Sequence, residues 1–258
     1  MPTGNFFKLT ALCAALAASL AANAAPVYNA NVTNNVIMGS GIANGGFTVN
    51  TAGGVEVALR ANERYDLASD SPTGVTGSNG NGTYNQNAGE PAGFTGPLQN
   101  RARWNFEWSI NTGTASVNAY TYRLGMDFDP GFGTNFQTFD LINLPFADHS
   151  FGNNSTAQGA GVEATTAAGY AALVASNNLV QNSWNLDFFD SAVFVFNPLL
   201  NGNYSFFLEA INRNGAVISR TDIDVIVGTG AVPEPGSLAL IGLALAGGGH
   251  LAAAQLAV

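Results

Sequence analysis

The residues best suited to hold a metal ion are two aspartates that alternate with other residues ahead of a glycine. Asp127 and Asp129 stand in the run Asp127-Phe128-Asp129-Pro130-Gly131. Alternate aspartates followed by glycine can turn their oxygens inward around a hard cation such as Ca²⁺, which takes oxygen ligands. The run lacks the third oxygen side chain and the distant glutamate of an EF-hand. It predicts either a calcium site or an ordinary turn at a strand end. Asp140 could be a further ligand only if the fold brings it close to Asp127 and Asp129.

Catalytic chemistry has few candidate residues in this sequence. Of the two histidines, His250 lies close to the C-terminus, so His149 stands alone in the body, and Cys13 is the single cysteine. A Cys–His dyad and a His/Cys zinc site are therefore excluded. Nothing around His149 resembles a nucleophile elbow. We expect His149 to be a solvated loop residue.

Paired carboxylates, the requirement of glycoside hydrolysis, are also not evident. Glu56, Glu107 and Glu209 lie in predicted strands, each on the polar side of its alternation. We expect all three to face solvent. The sequence therefore predicts a protein that is not an enzyme, with no cofactor apart from the calcium considered above.

Three tryptophans are candidates for stacking against sugar rings, as aromatic residues do in carbohydrate-binding modules. They are Trp104, Trp108 and Trp184. Trp104 and Trp108 share one side of a strand with Phe106 and Ile110, so packing in the core is the competing interpretation.

The elements that must position these residues are predicted to be β-strands. Alternation with period two marks 47–51, 55–61, 104–110, 115–124 and 192–196, and Ala52-Gly53-Gly54 reads as a hairpin turn. Residues 69–100 are rich in Gly, Asn and Ser and predict a long loop, and residues 163–176 predict one short helix. The fold class is therefore all-β, an antiparallel β-sandwich of the jelly-roll kind.

The strongest local signal is a hairpin between Tyr204 and Val227. Asn214-Gly215 is the preferred pair for a type I′ turn. With that pair as the turn, the numbers of paired residues sum to 429, which places Glu209 opposite Arg220 as an opposite-charge pair.

The charge balance excludes one large class of partners. Charged residues are 10% of the chain, against about 25% in ordinary soluble domains. Beyond Lys8 the chain has seven arginines against seventeen acids. Nucleic-acid binding needs a basic face to replace phosphate counterions, so it is excluded.

The N-terminal segment, residues 1–24, predicts a secretory signal peptide. Lys8 precedes an apolar run from Leu9 to Leu20, and Ala22 and Ala24 form an A-x-A cleavage site. The exported body, residues 25–231, would contain no cysteine and therefore no disulfide.

The C-terminal segment, residues 232–258, predicts a hydrophobic helix set apart from the body by two prolines. Val232-Pro233-Glu234-Pro235 is followed by an uncharged stretch from Gly236 to Val258. At 1.5 Å per residue, about 20 residues of helix cross a hydrocarbon core. We expect this segment to anchor the chain in a membrane.

The motif and the segment after it resemble the PEP-CTERM sorting signal of Gram-negative bacteria. That resemblance implies that Pro233, Glu234 and Pro235 are recognised by an exosortase, a membrane transpeptidase that removes the helix. The arginine-rich tail of that family is missing here, since residues 247–258 contain no arginine or lysine.

The resemblance also implies a place and a role. The expected protein is exported through the inner membrane to the cell envelope, held transiently by its C-terminal helix, and associated with exopolysaccharide or biofilm as a non-catalytic surface or matrix component. The alternative is a carbohydrate-binding or adhesin-like module with a specific site.

Overall fold

The computed structural model describes residues 24–35, 37–38, 44–64, 76–91, 101–143 and 147–230. Its elements, in chain order, are β1 (Val27–Ala30), β2 (Phe47–Ala52), β3 (Val55–Glu63), β4 (Thr83–Gln86), β5 (Trp104–Asn111), β6 (Thr121–Asp127), β7 (Phe136–Phe139), β8 (Ser150–Gly152), α1 (Ala167–Ser176), β9 (Leu179–Trp184), β10 (Gly202–Ile211) and β11 (Val217–Val227). Short 3₁₀ helices occupy Val117–Ala119 and Leu186–Phe189. The predicted signal peptide and C-terminal helix lie outside the described residues, apart from Ala24, which is exposed.

The strands form two sheets packed face to face, which confirms the predicted all-β sandwich. One sheet has the order β1-β2-β3-β5-β9-β8 and the other the order β4-β11-β10-β6-β7. All neighbouring pairs are antiparallel except β4 and β11, which run parallel. Strand β4 lies inside the segment predicted as a long loop, so that prediction misses one edge strand.

The core lies between the inner faces of the two sheets. From β5, Trp104 and Phe106 contact β10, with ring centroids 5.8 Å apart for Trp104–Tyr204 and 4.6 Å for Phe106–Phe206. These aromatic side chains are buried because alternate residues of each strand point to the same face.

The one predicted helix is confirmed within residues 163–176. Thr166 caps it, because its side-chain oxygen accepts a hydrogen bond of 3.1 Å from the Gly169 N–H. Tyr170 and Val174, one turn apart, are its buried residues.

Strand β5 departs from the half-buried pattern that its alternation predicts. All eight of its residues are buried, including Glu107 and Asn105 on the outer face. Glu107 forms an ion pair with the buried Arg60 of β3, and Asn62 also donates to its carboxylate. A charge can be buried when it is paired and hydrogen-bonded, so the prediction that this glutamate faces solvent is wrong.

Glu56 and Glu209 were also expected to face solvent, and both are buried. Glu56 accepts a 2.9 Å hydrogen bond from the Thr33 N–H. Glu209 accepts salt bridges of 2.5 Å from Arg123 and from Arg220, which lie on the strands either side of it. The arginine side chains are partly exposed and cover the carboxylate, so a polar position in an alternating strand is here shielded by its own partners.

The β10–β11 hairpin has the predicted register along most of its length. Tyr204 pairs with Val225 and Glu209 with Arg220, as the sum of 429 requires. The turn itself differs from the prediction. The register shifts after Ala210, the Gly215 N–H donates to the Asn212 carbonyl at 2.9 Å, and Gly215 alone of the predicted pair has positive φ, +79°. A three-residue loop of this kind is a type I turn followed by a glycine bulge, not a type I′ turn.

The β2–β3 turn is a two-residue hairpin turn. Ala52 pairs with Val55, and both Gly53 and Gly54 have positive φ, +57° and +80°, as a two-residue type I′ turn requires.

Two other predicted strands are corrected. Residues 192–196 are irregular, and the segment 115–124 contains a 3₁₀ helix before β6 begins at Thr121.

The turn chemistry yields a prediction for two adjacent positions. Replacing Gly215 by Val should lower the free energy of unfolding by about 1–3 kcal/mol, because a β-branched residue resists positive φ. Asn214→Val, at a position with negative φ, should cost much less. Thermal melting of the purified protein compares the two variants. Equal losses would indicate that both positions need positive φ and that the type I′ assignment holds after all.

Candidate functional site

The C-terminal end of β11 fixes the place where the chain leaves the body. Val227, its last residue, pairs with Gly202 at the start of β10. The Gly228 N–H donates to the Gln86 carbonyl at 2.8 Å, and Asn201 donates to the Thr229 hydroxyl at 3.0 Å. Gly228 has φ of +61°, and a Cβ there would meet Asn201 at 1.9 Å. The chain therefore turns at a defined point directly before the predicted motif at Pro233-Glu234-Pro235, which lies outside the described residues.

The aspartates predicted to bind calcium form a turn at the end of β6. Asp127 is buried, and its Oδ1 accepts hydrogen bonds from the Asp129 N–H at 3.1 Å and the Asn135 N–H at 3.3 Å. Its Oδ2 is buried without a hydrogen-bond partner. Asp129 in turn accepts from the Gly131 N–H at 2.9 Å. This is the geometry of aspartate turns.

The electrostatic environment of this turn raises the pKa of the Asp127 carboxyl. Burial raises the pKa of Asp127, and the nearby carboxylates Asp129 and Asp224 raise it further against the two N–H bonds, which lower it. The described part of the chain contains no group of three or more metal-ligating side chains. Asp140, the third candidate, instead accepts from the Tyr122 N–H at 3.2 Å. Calcium binding at Asp127 and Asp129 stays a prediction.

The three tryptophans lie in the core and present no face to a sugar. Trp104, Trp108 and Trp184 are exposed by 2%, 0% and 6%. Trp108 and Trp184 contact each other edge to face at 5.4 Å between ring centroids. The stacking platform predicted as one alternative is therefore wrong, since sugar stacking needs an open ring face.

His149 is buried, contrary to the solvated loop position expected of it. Its Nε2 lies 2.7 Å from the Leu141 carbonyl, and its Nδ1 lies 3.0 Å from the Asn182 amide nitrogen. An N–H at Nε2 and a lone pair at Nδ1 satisfy both partners, which is the neutral imidazole. Burial lowers the pKa of His149, and its ring packs edge to face on Trp108 at 4.9 Å. Both nitrogens are used structurally, so none is available as a general base.

Sequence reasoning missed a polar groove at the end of the sandwich opposite the β11 exit. Two adjoining hollows of about 400 and 110 Å³ share Gly113 and Asn154. Asn154 Oδ1 accepts amide hydrogen bonds from Asn34 at 2.9 Å, Asn111 at 3.1 Å and Asn178 at 2.9 Å. The remaining lining side chains are mostly hydroxyls and amides. The groove therefore offers donors and acceptors without a large apolar wall.

The fold places this groove far from the exit of the chain. A Cβ on Gly113 would lie 2.7 Å from the carbonyl of Gly54 in the β2–β3 turn, and one on Gly53 would meet Ile218 near the start of β11. At about 3.3 Å per residue, the eleven residues of β11 separate its two ends by about 30 Å. The sequence signal that marks the groove is the set of asparagines at the ends of elements and in the connections between them, Asn111, Asn153-Asn154 and Asn177-Asn178.

Comparison with known proteins bears on the segment after β11. The model of the PEP-CTERM protein-sorting motif matches residues 231–254. The chain carries a PEP-CTERM sorting motif. No curated protein and no solved structure matches the chain.

The PEP-CTERM motif supports a protein that is exported and sorted to the cell surface by an exosortase. Its first residue comes directly after Gly230, the last described residue, so the sorting motif begins as soon as the β11 turn is complete. Among the described residues, which exclude the PEP-CTERM segment, no helix is long and apolar enough to cross a membrane.

The buried histidine yields a prediction of pH dependence. Because the folded-state pKa of His149 is lowered from its ordinary value of about 6.5, the unfolded chain binds a proton more readily than the folded one. The contribution of His149 to stability is therefore complete above about pH 6.5 and is lost as the pH falls below it. His149→Gln should lose less stability than the wild type on acidification, measured by chemical unfolding at several pH values.

The control for this experiment is His250→Gln, outside the body, which should keep the wild-type pH dependence. Comparing slopes instead of absolute stabilities removes any cost of the substitution itself. If His149→Gln and the wild type lose stability in parallel, the buried imidazole is not the source of the acid sensitivity.

Proposed function

We propose that this chain is an exported, non-catalytic component of the cell surface or extracellular matrix, associated with exopolysaccharide or biofilm. The observation that carries the proposal is the PEP-CTERM motif at residues 231–254, placed immediately after the last strand of a compact β-sandwich. An exosortase acting there would separate the folded body from the predicted C-terminal helix. The body is then the functional product.

The chemistry of the described residues supports a non-catalytic role. His149 is buried with both ring nitrogens hydrogen-bonded. The buried glutamates Glu107 and Glu209 are engaged by arginines, and no cluster of three metal-ligating side chains is found in the described ranges. These side chains stabilise the fold.

Sorting is tested by replacing the motif in a host that contains an exosortase. Pro233→Ala/Glu234→Ala/Pro235→Ala should accumulate a longer, unprocessed form, because the recognition residues are gone. Val232→Ala, beside the motif, is the matched control and should be processed like the wild type. Immunoblots of fractionated cells with an antibody against the body measure the two forms. Equal processing of the triple variant and the wild type would contradict sorting through this motif.

Matrix association is tested on the processed body of the same cells. It should remain with the extracellular polysaccharide during washing and be released by enzymatic digestion of that polysaccharide. Processed protein found entirely in the medium before digestion would exclude the association while leaving the sorting result intact.

A second candidate function, a carbohydrate-binding or adhesin-like module, is favoured by the groove around Asn154. Its amide and hydroxyl lining suits a neutral sugar or an N-acetylated sugar, whose hydroxyl and amide groups need matching donors and acceptors. The buried carboxylate of Glu56 lies at the inner hollow. Burial raises the pKa of Glu56, while its hydrogen bonds from Thr33 lower it. Glu56 is the one ionisable side chain in the described lining of the groove, so the lining matches an uncharged ligand better than an ionic one.

The glycan prediction is tested by filling the groove without removing its internal hydrogen bonds. Ser155 is exposed and lines the groove, so Ser155→Trp should weaken binding to a recognised glycan by roughly tenfold, about 1.4 kcal/mol. Asn214→Trp, on the β10–β11 turn outside the groove lining, is the matched control. A glycan array followed by titration gives the comparison. Equal weakening by both variants, or no binding by the wild type, would contradict a specific site.

A further inference from the structure

The end of the sandwich at which β11 terminates has a group of exposed apolar side chains. We name as the apolar rim the five residues Phe132, Val193, Val195, Leu199 and Leu200, which are exposed by 66%, 80%, 72%, 62% and 46%. They lie on two segments, 130–137 and 191–202, and neither segment contains a charged residue. Exposed apolar side chains grouped at one end of a domain make that end a candidate interaction surface.

Contacts within the body bring these segments to the exit of the chain. A Cβ on Gly202 would lie 2.3 Å from the Pro130 side chain, and the Asn203 N–H donates to the Pro130 carbonyl at 3.2 Å. Phe194, between the two exposed valines, stacks on Phe128 with ring centroids 5.3 Å apart.

The residues directly after β11 are hydrogen-bonded to the second of these segments, 191–202. Asn201, next to the exposed Leu200, donates to the hydroxyl of Thr229, two residues beyond β11. The apolar rim and the start of the sorting segment therefore lie at one end of the molecule.

The length of chain beyond β11 limits how far this end can be from a membrane that holds the tail. Eight residues, 228–235, lie between Val227 and Gly236, where the uncharged apolar segment begins. Even fully extended, at about 3.3–3.6 Å per residue, they span about 30 Å. A chain anchored by its tail thus keeps the apolar rim close to the bilayer surface.

We propose that the apolar rim inserts into the headgroup region of the lipid bilayer while the tail is anchored, so that the body stands on the membrane with its exit end down. The proposal rests on the proposed function, sorting by an exosortase, and on the C-terminal helix predicted from the sequence, which would anchor the tail before cleavage. Lipid is the occupant that the short tether favours, because it keeps the rim beside any bilayer that holds the tail. The chain beyond Lys8 has seven arginines against seventeen acids, so the attraction to the bilayer must come from apolar side chains and not from basic residues. Apolar side chains at the interface supply an attraction that salt does not screen.

Two carboxylates flank the rim segments and hold their turns in shape. Asp129 accepts from the Gly131 N–H at 2.9 Å, and Asp190 accepts from the Phe196 N–H at 3.0 Å. These bonds fix the backbone of both segments, so the rim is presented as a preformed surface.

The experiment labels single cysteines on the full chain in a Cys13→Ala background, which is otherwise free of cysteine. Val195→Cys carries an environment-sensitive dye at the rim, and Leu199→Cys is a second rim position in case the first perturbs the fold. Asn214→Cys, at the opposite end, is the control. The protein is produced in a host without an exosortase and reconstituted into vesicles of phosphatidylethanolamine and phosphatidylglycerol containing a nitroxide-labelled lipid.

We expect the dye at either rim position to be quenched several-fold more strongly than the dye at Asn214, with little change at high salt. Adding Val193→Asp to Leu199→Cys should reduce the quenching, whereas Val162→Asp, at another exposed valine (56% exposed), should not. These results together would support insertion of the rim.

Three outcomes would overturn the proposal, and they separate it from the proposed function. Equal weak quenching at both ends of a chain that still floats with the vesicles would reject the rim while leaving the anchored tail intact. Disulfide-linked Val195→Cys dimers without lipid quenching would assign the rim to a second copy of the chain. A chain that does not float with the vesicles would reject both the tail anchor and the rim contact.

Discussion

The packing of β5 against β10 is the interaction on which the rest of the molecule depends. With one cysteine, the chain cannot form a disulfide within itself, so burial of apolar surface must hold the two sheets together. Phe106 and Phe206 stack at 4.6 Å, and Trp104 meets Phe206 edge to face at 6.3 Å. Each strand has a partner on both sides, β3 and β9 for β5, and β6 and β11 for β10. The register set at this contact therefore passes outward to both ends of the sandwich.

The alternation of apolar and polar residues was sufficient to predict the register of two strands that are neighbours in the sequence. The β10–β11 register follows from alternation together with the Glu209–Arg220 pair, and only the turn differs because Asn214 keeps negative φ. Alternation did not predict burial where residues distant in the sequence cover the outer face of a strand. Glu107 reads as solvent-facing, yet its partner Arg60 comes from 47 residues earlier and both are buried. Alternation reports which side is polar, but it does not report whether that side is covered.

The candidate sites also differ in whether residues close together in the sequence or residues far apart in it form them. Asp127, Asp129 and the tryptophans stood out because of residue type, and the structure uses them for a turn and for the core. The groove around Asn154 could not be found that way, because Asn34, Asn111 and Asn178 come from three separate parts of the chain that meet only in three dimensions: the segment after β1, the end of β5 and the α1–β9 connection. Composition hinted at it, since asparagine favours turns, but no spacing in the sequence connects these residues. The sorting motif is the opposite case, because it is read as a continuous segment and its match needs no fold.

The long strand β11 connects the two ends of the sandwich to which functions are proposed, the groove and the exit of the chain. It begins beside the groove and ends where the sorting segment departs, about 30 Å away at about 3.3 Å per residue. A tether at one end of a rigid strand orients everything attached to the other end. If the tail is held in a membrane and the apolar rim rests on lipid, the groove faces away from the bilayer, on the side where the proposed polysaccharide partner would lie. The glycines at 228 and 230, with φ of +61° and +76°, form a turn directly after β11, so the described fold ends beside the rim at Gly230, where the sorting motif begins.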